Sequence, residues 1–185
     1  MDKNSYLSLP EGLPVPEDDG GADHLVGLRI PTITLVATNG SKVDPSSMSG
    51  LSVIFCYPMT GVPGVPLPAG WDDIPGARGC TPQACSYRDA YPQLKPLVTH
   101  VFGLSTQSTE YQKELHDRLE LPYEILSDAN FELQKALRLP TFESEGKRLL
   151  KRLTMIIQDG VIEMVHYPVF PSNKDVDWVL SELSR

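Results

Sequence analysis

The stretch that decides how this 185-residue chain is interpreted is GCTPQACSYR, residues 79–88. It places one cysteine just before a predicted helix and a second cysteine inside it. Thr81 suits the N-cap and Pro82 the first helical position, because proline lacks the N–H that would be unpaired there. Cys80 then falls at N′ and Cys85 at N4, the two positions whose side chains meet in a hydrophobic staple. The spacing predicts two thiols close together at a helix N-terminus.

This placement favours redox chemistry. The unpaired N–H groups and the positive end of the helix dipole favour a thiolate at Cys80. An accessible thiolate beside a second thiol is the arrangement expected of a redox-reactive pair. Two alternatives remain for the stretch taken alone. One is a pair of structural, half-buried cysteines; the other is a zinc site, which would need a second Cys/His pair that the sequence lacks. We predict no metal and no cofactor.

Composition limits the class of protein. The chain is 41% hydrophobic and 22% charged, as expected of one globular domain. A net charge of −8 argues against a nucleic-acid or anionic-membrane surface, and no apolar run is long enough to span a bilayer. Three cysteines indicate a reducing compartment, and residues 1–5 lack the features of a signal peptide. We expect a cytoplasmic protein without nucleic-acid or membrane partners.

Proline and glycine mark the organisation of the chain. Residues 1–27 are rich in Pro, Gly and acidic side chains, which predicts a leading arm with little regular structure before a domain at 28–185. Residues 61–78 carry Pro and Gly at a density that no helix or central strand tolerates. A loop of that length is unusual in a compact domain and is often functional. It leads directly to Cys80.

Apolar periodicity predicts the remaining elements. Strands are expected at 33–38, 51–57, 97–104, 123–126, 153–157 and 161–167, with hairpin turns at Asn39-Gly40 and Asp159-Gly160. Helices are expected after Cys80, after Ser108 or Thr109 (Thr109 with Gln112 as a capping box), after Ser127-Asp128, and from about Val176 to Leu183. Helices that alternate with buried strands indicate an α/β layered sheet.

The cysteine stretch, followed by Arg88-Asp89, resembles the Gly-Cys-Thr-x-x-Ala-Cys-x-Phe-Arg-Asp motif of the Q-type peroxiredoxins, also called bacterioferritin comigratory proteins. Further matches extend the resemblance from about residue 28 to the C-terminus. They are Tyr57-Pro58, Gly103-Leu104-Ser105-Thr106, Leu126-Ser127-Asp128 and Arg152. The resemblance implies a thioredoxin-like fold, with a central mixed sheet flanked by helices and an N-terminal hairpin extension.

The same resemblance implies a thiol peroxidase for hydrogen peroxide or alkyl hydroperoxides. Cys80 would be the peroxidatic cysteine, and Cys85 would resolve its sulfenic acid as an intramolecular disulfide. A thioredoxin- or glutaredoxin-type dithiol would reduce that bridge, and the protein would be a monomer or weak homodimer. Arg152 would stabilise the thiolate and polarise the peroxide. Pro58, Gly79 and Thr81 are the implied substrate-binding residues.

One part of the family motif is displaced. Peroxiredoxins carry Pro-x-x-x-Thr-x-x-Cys, but counting back from Cys80 gives Ala77 at the threonine position and Asp73 at the proline position. Pro58 and Thr60 precede the Pro/Gly-rich segment instead. We interpret residues 61–78 as an insertion within the motif, after which the chain returns so that Thr60 still reaches the active site.

Three other functions are compatible with part of the pattern. A thiol–disulfide oxidoreductase would need Cys-x-x-Cys, and a proline before the last hairpin where this chain has Lys151-Arg152-Leu153. A thioredoxin-fold binding module without chemistry is favoured by Ala77 alone. A one-Cys peroxidase would leave Cys85 idle, since Cys56 is predicted to lie in the core. Because a disulfide needs Cα atoms within about 7 Å, we expect the first turn of the cysteine helix to unwind when the bridge forms.

Overall fold

The computed structural model describes residues 7–185, so the first six residues of the predicted arm lie outside the described part. This part contains nine strands and four α-helices. The strands are β1 Leu35–Ala37, β2 Lys42–Val43, β3 Leu51–Cys56, β4 His100–Ser105, β5 Glu124–Ser127, β6 Thr141–Ser144, β7 Lys147–Leu150, β8 Leu153–Gln158 and β9 Val161–His166. The helices are α1 Cys80–Leu94, α2 Thr109–Leu119, α3 Glu132–Leu137 and α4 Asp175–Leu183.

Seven of the strands form one mixed sheet in the order β2-β1-β5-β4-β3-β8-β9. The three central strands β5, β4 and β3 are parallel, while β1 and β8 pair antiparallel at either side. The β1–β2 hairpin turns at Asn39-Gly40, and the β8–β9 hairpin turns at Asp159-Gly160, both as predicted. The expected α/β fold, with a central mixed sheet flanked by helices and a hairpin near the N-terminus, is therefore confirmed.

Side chains that alternate along β3 feed two separate cores. Val53 and Phe55 face α1, α2 and α4, whereas Ile54 and Cys56 face α3 and the buried residues of segment 22–30. Since both faces are covered, β3 is apolar along its whole length. Its C-terminal end delivers the chain to the start of the long loop, next to the N-terminus of α1.

Helix α1 begins at Cys80, two residues before the predicted first helical position, Pro82. Gly79, not Thr81, occupies the N-cap, with φ +106°. A side chain at Gly79 would be excluded, because a Cβ atom there would come within 2.2 Å of Ser172 Oγ and 2.6 Å of Leu9 Cδ2. Cys80 is consequently the first helical residue rather than N′, and the predicted staple between Cys80 and Cys85 does not form.

Other helix starts also depend on tertiary contacts. Ser108 is the N-cap of α2 and accepts a hydrogen bond from Tyr111 N at 3.3 Å. Gln112 turns inward to Ser105 Oγ, so the predicted capping box is wrong. Asp128 does satisfy the start of α3, since its carboxylate accepts from the backbone N–H groups of residues 133 and 134. Phe131 occupies the cap position itself. The β6–β7 hairpin was not expected from the sequence.

The segment from 61 to 78 forms a loop with a single 3-10 turn at Trp71–Asp73. Trp71 is buried against Ala77 and Leu149, and its ring lies 6.1 Å from that of Phe142. The loop is thus fastened to the β6–β7 hairpin, which explains how a Pro/Gly-rich segment keeps an ordered path. No helix within residues 7–185 is long and apolar enough to cross a membrane.

Candidate active site

Cys80 lies at the start of α1 and is only 4% exposed, so its thiol is less accessible than the sequence predicts. It borders a cavity of about 20 Å³ whose wall also includes Thr60, Gly79 and Thr81. Such a volume admits a group about the size of a water molecule. The geometry therefore restricts access to Sγ to small molecules or to the small end of a larger one.

Arg152, immediately before β8, is the charged neighbour of this thiol. Its side chain is 3% exposed, and Nη2 donates to Cys80 Sγ at 3.2 Å. The same nitrogen lies 3.1–3.3 Å from the carbonyl oxygens of residues 76–78, so the loop end wraps the guanidinium. A buried cation in hydrogen-bond contact with sulfur stabilises the thiolate, the nucleophilic form of cysteine.

The second cysteine of the stretch is in a different environment. Cys85 is half-buried, and desolvation raises the pKa of its thiol although Arg88 partly opposes that shift. Five residues of α-helix separate it from Cys80 by about 7.5 Å along the axis and about 140° around it. This places the two Cα atoms about 8–9 Å apart, beyond the reach of a disulfide. The two thiols cannot join while the first turns of α1 are helical.

Cys56 is buried in β3 on the opposite face of the sheet from Cys80. Burial strongly raises the pKa of its thiol. Its position agrees with the core role predicted for it and gives it no path to the cavity.

Thr60 follows the buried Pro58 at the end of β3 and is itself 2% exposed. Its Oγ1 donates to Gln107 Oε1 at 3.2 Å, and its carbonyl accepts from Gln107 Nε2 and from the Tyr111 hydroxyl. These contacts hold Thr60 in the cavity wall beside Cys80. At the position expected from residue counting, Ala77 offers only its backbone carbonyl, 3.6 Å from Cys80 Sγ.

Two further residues, Gln83 at the site and Asp175 behind it, were not identified from the sequence. Gln83 accepts from Arg152 Nη1 and donates from Nε2 to Asp175 at 2.8 Å. The spacing of Gln83, one helical turn after Cys80, could have indicated that it shares the same helix face. Asp175 is fully buried at the start of α4, and no local pattern marks it. Within residues 7–185, no group of three or more His, Cys, Asp or Glu side chains is arranged to hold a metal ion.

Comparisons with known proteins agree with this geometry. Residues 25–180 match the Redoxin family model. Peroxiredoxin bcp1 of Schizosaccharomyces pombe is 36% identical over 161 residues, which cover 82% of this chain and 73% of that protein. The chloroplastic peroxiredoxin Q of Sedum lineare is 28% identical over 158 residues, covering 85% of this chain and 76% of the relative. Among solved structures, peroxidoxin BcpB from Mycobacterium tuberculosis superposes with a TM-score of 0.69 at 23% identity, covering 86% of this chain and 96% of that one.

A buried cysteine at a helix start, a guanidinium in contact with its sulfur and a thioredoxin-like sheet thus occur together with a family match over most of the chain. The chain belongs to the redoxin family and, within it, to the Q-type, BCP-like peroxiredoxins, which are thiol-dependent peroxidases.

Proposed function

We propose that this protein reduces hydrogen peroxide and alkyl hydroperoxides through Cys80, with Cys85 as the resolving thiol. The observation that carries the proposal is the 3.2 Å contact between Arg152 Nη2 and Cys80 Sγ at the wall of a cavity for small groups. A thiolate held there is positioned to attack an O–O bond, and the guanidinium is positioned to stabilise the oxygen anion that leaves.

The proposed reaction has three steps. The Cys80 thiolate attacks the terminal oxygen of ROOH, the O–O bond breaks, and the departing RO⁻ takes up a proton, leaving a sulfenic acid. The Cys85 thiol, losing its proton, attacks that sulfur, and water leaves as the disulfide forms. A thioredoxin- or glutaredoxin-type dithiol then reduces the disulfide by exchange and becomes a disulfide itself.

The cavity wall supplies the other proposed contacts. Gly79 and Thr81 bring the helix N-terminus, with its unpaired N–H groups, to the side of the cavity where negative charge develops. Buried Pro58 fixes the chain direction that presents Thr60. An intramolecular disulfide needs no second subunit, so the enzyme acts as a monomer or weak homodimer. The low cysteine count supports a cytoplasmic location, although the Sedum lineare relative is named chloroplastic.

The roles of the three cysteines are tested by single substitutions. We expect Cys80→Ser to abolish the reaction with peroxide, and Cys85→Ser to react once but to lose thioredoxin-dependent turnover. Cys56→Ala is the matched control and should keep the parent turnover, because Cys56 lies across the sheet. Turnover is followed by peroxide consumption with thioredoxin and its reductase. Parent turnover in Cys85→Ser would establish a one-Cys mechanism instead.

We propose that Thr60 takes the place of the motif threonine: its hydroxyl, which donates to Gln107 Oε1 in this structure, turns to the peroxide oxygen when substrate enters the cavity. We expect Thr60→Val to lower the second-order rate constant with hydrogen peroxide by roughly 10- to 100-fold, since it removes one donor at the reacting atoms. Thr106→Val, one strand end away and outside this small cavity, is the control. A Thr60→Val enzyme as fast as the parent would contradict the assignment.

Disulfide formation unwinds the start of α1. We expect the backbone amides of residues 83–88 to lose hydrogen-exchange protection when the protein is oxidised by one equivalent of peroxide. The amides of α2 serve as the internal reference, because α2 carries neither cysteine. Identical protection of residues 83–88 in the reduced and oxidised forms would rule out this conformational step.

A further inference from the structure

Asp175 is a carboxylate with no access to solvent, and it lies behind the active site rather than in it. Its Oδ2 accepts hydrogen bonds from Gln83 Nε2 at 2.8 Å, the Tyr87 hydroxyl at 2.9 Å and Thr154 Oγ1 at 2.6 Å. Its Oδ1 lies 2.9 Å from His166 Nδ1. An apolar residue would fill the same space without the cost of burying a carboxylate, which is large unless hydrogen bonds compensate for it. The four contacts compensate for it here.

One of these contacts fixes the orientation of an amide. Gln83 lies between a group that only accepts hydrogen bonds, Asp175, and a group that only donates them, Arg152. Its Nε2 must therefore face Asp175, and its Oε1 must face Arg152 Nη1, as the structure shows. The reverse orientation would oppose donor to donor and acceptor to acceptor. Asp175 thus selects which end of the amide Arg152 meets.

The position of the Arg152 guanidinium depends on the side-chain amide of Gln83. Nη2 has Cys80 Sγ and the loop carbonyls as partners, but the side-chain acceptor of Nη1 is Gln83. Among residues 7–185, the buried Nε of Arg152 has no hydrogen-bond partner. A neighbouring cavity of about 450 Å³, with Glu17 in its wall, also borders Arg152. Without Gln83, Nη1 would lose its side-chain acceptor, and the adjoining cavity would give the guanidinium room to shift.

We propose that Asp175 is a positioning residue for the peroxidase reaction: through Gln83 it holds Arg152 against Cys80. The proposal rests on the function proposed for Cys80. It concerns a residue that is linked to Arg152 through Gln83, by two successive hydrogen bonds. His166 completes the arrangement by facing Oδ1, and its ring stacks on Trp178 at 4.7 Å. A carboxylate in α4 and an imidazole in β9 thereby support a cysteine in α1.

A double-mutant cycle tests this path. Asp175→Ala, Gln83→Met and the double variant are made in a Cys85→Ser background, so that reaction at Cys80 alone is scored. Rate constants are measured at pH 7 with hydrogen peroxide and, independently, with iodoacetamide. We expect each single substitution to slow both reactions about 10-fold, as loss of a supporting hydrogen bond does in other sites. The double variant should be no slower than Gln83→Met alone, because both changes break one path.

Conservative variants distinguish a loss of positioning from a general destabilisation of the fold. Asp175→Asn should stay within about threefold of the parent, because its amide oxygen can still accept from Gln83 Nε2. Tyr87→Phe removes a different donor from the same oxygen and should stay within about twofold. Each variant is checked for folding by thermal unfolding.

Several outcomes would overturn the inference. One is a rate constant about 100-fold below the parent in the double variant, which would mean that the two substitutions act independently. The others are an unchanged rate constant in Asp175→Ala, and a loss in Tyr87→Phe as large as the loss in Asp175→Ala. If Asp175→Ala does not fold, Gln83→Met is the deciding variant. A rate constant equal to that of the parent in Gln83→Met would exclude the path from Asp175 to Arg152. A parent protein that reacts with iodoacetamide but not with peroxide would contradict the proposed function, while the alkylation cycle would still test the positioning.

Discussion

The contact between the guanidinium of Arg152 and the sulfur of Cys80 is the constraint on which this structure depends. A cation that is 3% exposed is costly to bury unless its donors are satisfied, and here the chain surrounds its two terminal nitrogens with acceptors. The end of the long loop supplies three carbonyl groups, α1 supplies Gln83, and the thiol completes the set. The arrangement places the positive charge beside Cys80 Sγ, where the proposed reaction would develop negative charge.

The helix that presents Cys80 also opposes the disulfide step that we propose. Gly79 lets the chain enter α1 with a left-handed residue pressed against Ser172, which makes Cys80 the first helical residue. In that helix Cys85 lies on another face, too distant for a disulfide. In the proposed mechanism, the folded form reacts with peroxide, and a locally opened form is needed for resolution by Cys85.

Local sequence signals predicted much of the fold and of the site. Apolar runs located β3 and β8, and the Asp159-Gly160 turn located their hairpin partner β9. The cysteine stretch and Arg152 were predicted as site residues because consecutive residues or a family motif identify them. Thr81 was wrongly placed at the N-cap, since its local preference is overridden by the close packing of Gly79 with Ser172 and Leu9. Asp175 was missed because its proposed role depends on a contact with Gln83, which lies 92 positions away in the sequence.

The most direct test of the account uses trypsin, because Arg78 and Arg88 bracket both cysteines. Reduced protein is treated with one equivalent of hydrogen peroxide, free thiols are blocked, and the peptide of residues 79–88 is weighed. We expect an unalkylated peptide lighter by two hydrogens, which is the Cys80–Cys85 disulfide. A peptide that carries two alkylated thiols would contradict it, since Cys80 would then not react with peroxide.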